Sequence, residues 1–451
     1  MSDLMERITS LCKRRGFVYQ TGSLYGGLRG FWDYGPLGAQ LRKNIRDQWW
    51  KDIVTCSPID TKHQKPLTIL PFEGSIITNP KVWDASGFLR HFYTTFIHCP
   101  SCERDNSIES WETDDKCPYC GKLLEDINNL EEQTKHRSRL ISVEEIFADS
   151  QGSKLYLRPE SSQNIFTNFN NIIQTNRVKL PFGIAQIGKV FVNDIAPRKF
   201  FFRSKEFEQM EMEFFIDPED DVNKWFLFWA DNRMSWWLDN GLSEDKLSIY
   251  AYSQNELSYN AKSSNGVVSI MYEFPFGKYE IEHIIHRGKF DLSLHSQASG
   301  TELSFFDAKT KSTIIPHVIE CSTSLEKGLL AILCESYHVD NERPCKEFMN
   351  IPVRLAPIKV AFCPMENKGV LSNIAFSLFN HYRRNFNCSL EVKGSIGKRY
   401  ARMDEIGTPF CVTVDRETRK DNSVTIRFLK TMEQTRVSLE MLDVFFHRNL
   451  N

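Results

Sequence analysis

Between Phe182 and Phe215 the chain gathers cations, aromatic rings and carboxylates into one stretch, FGIAQIGKVFVNDIAPRKFFFRSKEFEQMEMEFF. Its two ends alternate apolar against polar residues around a middle rich in Pro, Arg and Lys, the pattern of two antiparallel strands and a long basic loop. The second strand is expected from Phe202 to Phe215. It would set Arg203 and Lys205 beside Phe207, followed by Glu208, Glu211 and Glu213. Cations suit a polyphosphate, an aromatic ring suits a base, and a carboxylate suits an ammonium group. One strand pair therefore carries the groups needed to hold a nucleotide and an amino compound together.

A second constellation is Cys99–Pro–Ser–Cys102 and Cys117–Pro–Tyr–Cys120, separated by residues 103–116. A CxxC turn presents two thiolates on one side of a tight loop, and two such knuckles complete a tetrahedral zinc shell. Four thiolates leave no open coordination position, so the expected metal is structural.

These groups need a scaffold. A chain of 451 residues, 41% hydrophobic and 25% charged, is expected to be a soluble globular protein of about two or three domains. The formal charge of −2 excludes a globally basic nucleic-acid binder but leaves room for a local basic face. No apolar run reaches membrane-spanning length, and the opening MSDLMERITSLCKRRG lacks the apolar core of a secretory signal. With four of its 12 cysteines in CxxC pairs and the rest scattered, the chain reads as reduced and cytoplasmic.

Apolar spacing predicts helices over residues 3–15 and Leu37–Ile53, on either side of a Gly-rich passage. Residues 96–150 read as a polar, cysteine-bearing insertion. From Leu155 onward strand-like and helix-like segments mix without βα alternation, which predicts an α+β core on an antiparallel sheet. Val222–Leu242 reads as a helix whose tryptophans, Trp225, Trp229, Trp236 and Trp237, pack rather than bind. A boundary is expected near 350–357, where IPVRLAP carries two prolines. Beyond it strands and helices alternate as in a small α/β domain. The expected units are 1–350 and 356–451.

Several blocks carry a resemblance. GFVYQTGSLYGGLRGFWDYGPLGAQLRKNIRDQWW, LYLRPESSQNIF, GIAQIGK, EFEQMEMEFF, YEFPFG, PHVIECS and GSIGKRYARMDEIGTPF resemble the dimeric-type glycyl-tRNA synthetases, from about residue 14 to 445. The resemblance implies a class II catalytic domain on an antiparallel sheet, a C-terminal α/β anticodon-binding domain and a homodimer whose interface includes Trp32–Gly38. It implies ATP with its magnesium, glycine and tRNA as partners. Carried over by position, Asn193, Asp194, Phe202, Arg203, Phe207, Glu280 and Lys327 would hold ATP, with Phe207 stacking on adenine. Glu160, Glu208, Glu211, Arg287, Glu320 and Ser322 would form the glycine site. Crowded carboxylates grip an ammonium ion and exclude larger amino acids.

The sequence departs from the family pattern at identifiable positions. Val192–Asn193–Asp194 stands where Arg–Asn–Glu is expected, and Lys327 where an arginine is expected. Removing one preorganised donor from such a site costs about 3–4 kcal/mol. Arg198 and Lys199, in the same loop, are candidate substitutes. The departures define a second reading: a catalytically impaired paralogue serving as an RNA-binding or accessory dimer. In the last domain Lys393, Lys398, Arg399 and Arg402 surround Gly394 and Gly397, with Tyr400 interleaved. Cations along phosphates and a ring against an unpaired base suit an anticodon loop, and Lys398, Arg399 and Arg402 are the expected tRNA contacts.

Overall fold

The computed structural model describes residues 3–60, 64–107, 116–117, 119–123, 134–143, 154–193, 199–256, 264–307 and 311–450. A seven-stranded sheet forms the larger unit. Its strands are β1 (Ile69–Pro71), β2 (Phe182–Phe191), β3 (Glu206–Ile216), β4 (Leu247–Ala251), β5 (Gly266–Phe274), β6 (Gly277–Gly288) and β7 (His317–Ser324). They lie in the order β4-β5-β6-β7-β3-β2-β1. Every neighbouring pair is antiparallel except β2 with β1. The core is thus the antiparallel α+β sheet expected of a class II synthetase.

Helices of this unit include α1 (Asp3–Arg15), α2 (Pro36–Trp50), α3 (Ser162–Thr167), α4 (Val222–Asp239), α5 (Phe290–Ser299) and α6 (Leu325–Ser336). Pro36 sits in the first turn of α2, where its missing N–H costs nothing. One face of the sheet packs Met210, Met212 and Phe214 against Leu41, Ile45, Trp229, Trp237 and Leu329 from α2, α4 and α6. The tryptophans of α4 pack there as expected. Trp237 also donates to Glu282 at 2.6 Å, beside the buried ion pair of Arg233 Nε with Glu282.

The basic-loop strand begins later than its alternation suggests. Phe200–Phe202 form a single 3₁₀ turn and β3 starts only at Glu206. Phe200, Phe201 and Phe202 are all buried. A strand sends successive side chains to opposite faces, whereas a tight turn can bury three consecutive rings on one core. Arg203 and Lys205 therefore precede the strand.

The cysteine-bearing segment contributes a three-stranded sheet of Tyr93–Cys99, Arg104–Ser107 and Thr134–Ser138. The C-terminal sheet has β8 (Val360–Pro364), β9 (Cys388–Leu390), β10 (Phe410–Val414), β11 (Ser423–Phe428) and β12 (Gln434–Ser438), in the order β9-β8-β10-β11-β12. It packs α7 (Val370–Tyr382) and α9 (Leu442–Leu450) into a core of its own, around Phe362, Tyr382, Val412 and Phe446. Helix α8 (Ile396–Glu405) meets both parts of the chain, its Glu405 pairing with Arg14 at 3.2 Å and its Asp404 with Arg427 at 2.7 Å. Strand β12 escaped the sequence reading because QTRVS is a polar edge strand with no buried residue.

The junction is built on charge. Asp404 of α8 is buried and accepts from both Arg427 nitrogens at 2.7 and 2.9 Å. Arg343, from the first unit, reaches the same carboxylate at 3.4 Å. Asp404→Ala strands two guanidinium groups out of water, which is expected to lower stability by about 3–5 kcal/mol. The urea midpoint of the variant measures this, and an unchanged midpoint would mean the arginines find other partners.

Candidate active site

Alternation along β3 decides which side chains reach the open face of the sheet. Met210, Met212 and Phe214 point into the helix-packed core, so Phe207, Gln209, Glu211 and Glu213 point the other way. Strand β7 adds Glu320 opposite Glu213 and Ser322 opposite Glu211. On β6 the register shifts, with Ile270 opposite Glu282 and Met271 opposite Glu280, leaving Ile281 as the extra residue of a bulge. Glu280 and His283 consequently share the open face although three residues apart, while Glu282 turns to the helices.

Two adjoining cavities result, each of about 400 Å³. The first is lined by Arg139, Val192, Phe202, Arg203, Phe207, Gln209, Glu280, Ser322 and Lys327, among others. The second is lined by Glu160, Arg287 and Glu320, and the two share Gln209, Glu280 and His283. A cation-lined, ring-walled space thus opens onto a carboxylate-lined one.

Hydrogen bonds fix the wall between them. Gln209 donates to Ser322 at 2.7 Å and to Glu211 at 3.2 Å. Ser161, just before α3, donates its hydroxyl to Glu211. Glu160 accepts from Ser162 at 2.7 Å and Gln163 at 2.8 Å. Arg287 binds Glu320 through Nε and Asp291 of α5 at 3.1 Å through Nη1. His283 spans Glu280 and Glu320, 3.4 Å from each, and Lys327 reaches Glu280 at 3.2 Å.

Glu211, Glu213 and Glu320 are buried with carboxylate oxygens within 4.8 Å of one another. Burial, then Glu320 nearby, pushes Glu211 and Glu213 well above the usual carboxylate range. Burial also raises Glu160. Glu320 goes the other way: burial opposes its charge, but Arg287 and His283 outweigh it and hold it at about 2. Burial likewise opposes the His283 cation, and the hydrogen bonds it donates to Glu280 and Glu320 overcome this, to about 10. Burial thus biases Glu160, Glu211 and Glu213 towards their neutral forms, and an arriving cation would favour their ionisation.

Most of the residues expected from the sequence come together here, but not all. Glu208 occupies an inward position of β3, where its carboxylate pairs with Arg42 at 2.7 Å and Arg46 at 3.3 Å. It belongs to the α2 face, a correction that follows from strand alternation alone. Asn193 accepts from Lys205 at 3.0 Å beside the cavity-lining Val192. Asp194 and Arg198 lie outside the described residues. Lys199 reaches the Tyr279 hydroxyl and stands over its ring at 3.6 Å.

In the C-terminal unit the basic loop is only partly outward. Lys398 is exposed. Arg399 is buried and corrects the expectation of a tRNA contact: it donates to the carbonyls of Gly394 at 3.0 Å and Val392 at 2.8 Å and to Asn367 at 2.9 Å. Arg402 is half-buried and pairs with Glu391 at 2.7 Å. Tyr400 bonds Thr413 at 2.6 Å and stacks on Arg427, so its ring is already engaged.

The four cysteines form one cluster, with Cys99 Sγ 3.6 Å from Cys120 and Cys102 Sγ 3.7 Å from Cys117. A tetrahedron with zinc–sulfur bonds of about 2.3 Å has edges of about 3.8 Å, so the spacing fits zinc. It is far beyond a disulfide bond of about 2.05 Å.

Comparison with known proteins agrees with this geometry. A glycine–tRNA ligase of Thermobifida fusca is 37% identical over 473 aligned residues, covering 100% of this chain and 98% of the relative. Those of Corynebacterium glutamicum and Treponema denticola are 38% and 37% identical, covering 99% and 96% of this chain and 98% and 94% of their own. The chain belongs to the glycine–tRNA ligase family. Residues 359–447 match the anticodon binding domain family. In this glycine–tRNA ligase family member that match spans β8 to α9.

The sequence reading missed His283, Gln209, Ser161 and Asp291 as members of the site. His283 was hidden by the β6 bulge, which no periodicity reveals. Ser161 reaches Glu211 from an element distant in sequence, Gln209 is a neutral neighbour of Glu211 on the same strand, and Asp291 acts through Arg287.

Proposed function

We propose that this chain activates glycine with ATP and transfers it to tRNA. The glycine carboxylate attacks the α-phosphorus, pyrophosphate leaves, and a terminal ribose hydroxyl of tRNA then displaces AMP. The observation that carries this reading is the cavity lined by Glu160 and Glu320, backed by the buried Glu211, which adjoins the cation-lined cavity that Ser322 lines. In this reading Phe207 stacks on adenine, Phe202 closes the apolar wall, and Arg203 and Lys327 face the phosphates and their magnesium. Glu280 anchors Lys327, and Arg287 positions Glu320. A cluster this crowded admits the α-ammonium group but leaves little room for a side chain.

Cys99, Cys102, Cys117 and Cys120 would hold a structural zinc ion, shaping the insertion and taking no part in the reaction. Lys398 and Arg402 remain tRNA-contact candidates. The exposed Leu24, Tyr25 and Leu28, beside Trp32–Gly38, favour a homodimer through that face. No helix among the described residues is long and apolar enough to cross a membrane, and reduced thiols at 12 cysteines suit the cytoplasm. The two-unit division at 350–356 is part of the same reading. The test is labelled glycine transferred to tRNA in the presence of ATP. Stable glycylated tRNA is expected, and its absence with folded protein would refute the proposal.

The pocket carboxylates give a pH prediction. Burial and then Glu320 favour the neutral forms of Glu211 and Glu213, and an entering ammonium favours their ionised forms. Glycine binding should therefore release protons and tighten as pH rises through the raised carboxylate range. For the unliganded protein the sign is also set. Stability from these neutral acids is present at pH below the ordinary glutamate value and is lost as pH rises towards their folded-state values. Calorimetry of glycine binding in buffers of different ionisation heats measures the release. Net proton uptake would contradict it.

A further inference from the structure

We infer that Arg139 is a phosphate-binding residue of the nucleotide cavity, supplied by the cysteine-bearing insertion to the wall formed by Val192. This rests on the reading of that cavity as the ATP site. Strand Thr134–Ser138 pairs antiparallel with Tyr93–Cys99, Ser138 standing opposite Tyr93. Arg139 is the next residue, so it leaves the small sheet at the end remote from Cys99.

Its main chain is held on both sides. The Arg139 N–H donates to the Phe92 carbonyl at 3.0 Å, and its carbonyl accepts from the Asn193 N–H at 2.8 Å. The guanidinium lies over the Phe92 ring, 4.7 Å from its centre. An arginine fixed by two backbone bonds and an aromatic platform is oriented before any ligand arrives, which reduces the ordering cost of binding. Thr94, Arg139 and Val192 line the same cavity as Phe207, Arg203 and Lys327.

The charge balance of the cavity favours the assignment. Lys327 is tied to Glu280 at 3.2 Å, and His283 is shared between Glu280 and Glu320. Those cations are matched by carboxylates of the site, whereas a triphosphate brings several negative charges of its own. Val192 contributes none at its position. A guanidinium beside it offers the planar, forked donor geometry that suits phosphate oxygens. The backbone bond to Asn193 keeps it in step with the strand that carries Val192.

The experiment is titration of the full chain with ATP and with adenosine, for wild type, R139Q, R139K and R139Q/V192R. Glycine and ATP KM values in ATP–pyrophosphate exchange are measured alongside. R139Q is expected to weaken ATP about 10- to 100-fold, as loss of a charged hydrogen-bond donor does, while leaving adenosine affinity and glycine KM unchanged. R139K should fall between. V192R added to R139Q should restore most of the ATP affinity, because a cation returns to the same wall. ATP affinity in R139Q within about twofold of wild type would overturn the inference. So would equal losses of ATP and adenosine, which would mark a structural role. If wild type itself binds no ATP, the ATP-site reading and this inference fall together. Wild type that binds, with an unaffected R139Q, overturns the inference alone.

Discussion

Glu320→Gln is expected to cut glycine activation by roughly two to three orders of magnitude while leaving ATP affinity nearly unchanged. The substitution keeps the size of the side chain and removes its charge. Glu320 is buried between Arg287 and His283 and is held ionised by them, at about 2. An amide leaves both cations facing a neutral group at this position and takes a charged carboxylate away from the pocket that glycine enters. Breaking one side of a buried pair costs about 3–5 kcal/mol, and each 1.4 kcal/mol is about tenfold. The loss should fall on kcat/KM for glycine, because Glu320 lines the carboxylate cavity rather than the phosphate wall. Steady-state exchange kinetics measure it. A change below about fivefold would mean that the ammonium is held elsewhere.

Cys117→Ser carries the second large effect, on metal content and on the order of the insertion. Cys117 is buried and its sulfur faces Cys102 at 3.7 Å. Structural zinc sites contribute on the order of 10–16 kcal/mol of apparent binding energy, and a hydroxyl does not replace a thiolate in such a shell. Purified wild type is expected to hold about one zinc per chain, and the variant close to none. Because the strand Tyr93–Cys99 pairs with the strand leading to Arg139, the variant should also become sensitive to protease in this segment. Retention of a full zinc complement would contradict the four-cysteine assignment.

Much of this was legible in the sequence because periodicity encodes it. The alternation across 182–215 gave the antiparallel pair β2–β3 and with it the open face bearing Glu211. The spacing of the CxxC pairs gave the sulfur cluster. What resisted reading has physical causes. Glu208 was grouped with the other carboxylates, yet one residue along a strand reverses the face, and it pairs with Arg42 instead. Arg399 looked like a phosphate contact because charge density says nothing about burial, and its guanidinium is spent on loop carbonyls. His283 depended on a bulge. Arg139 depended on a tertiary meeting between the insertion and the end of β2, which local pattern cannot foresee.

Glycine-dependent ATP–pyrophosphate exchange by the purified full chain tests the central claim most directly. Exchange should rise with glycine and remain near background with alanine if the carboxylate cluster, as proposed, holds the ammonium and crowds out a side chain. No exchange above background, in folded protein supplied with zinc, would contradict the account.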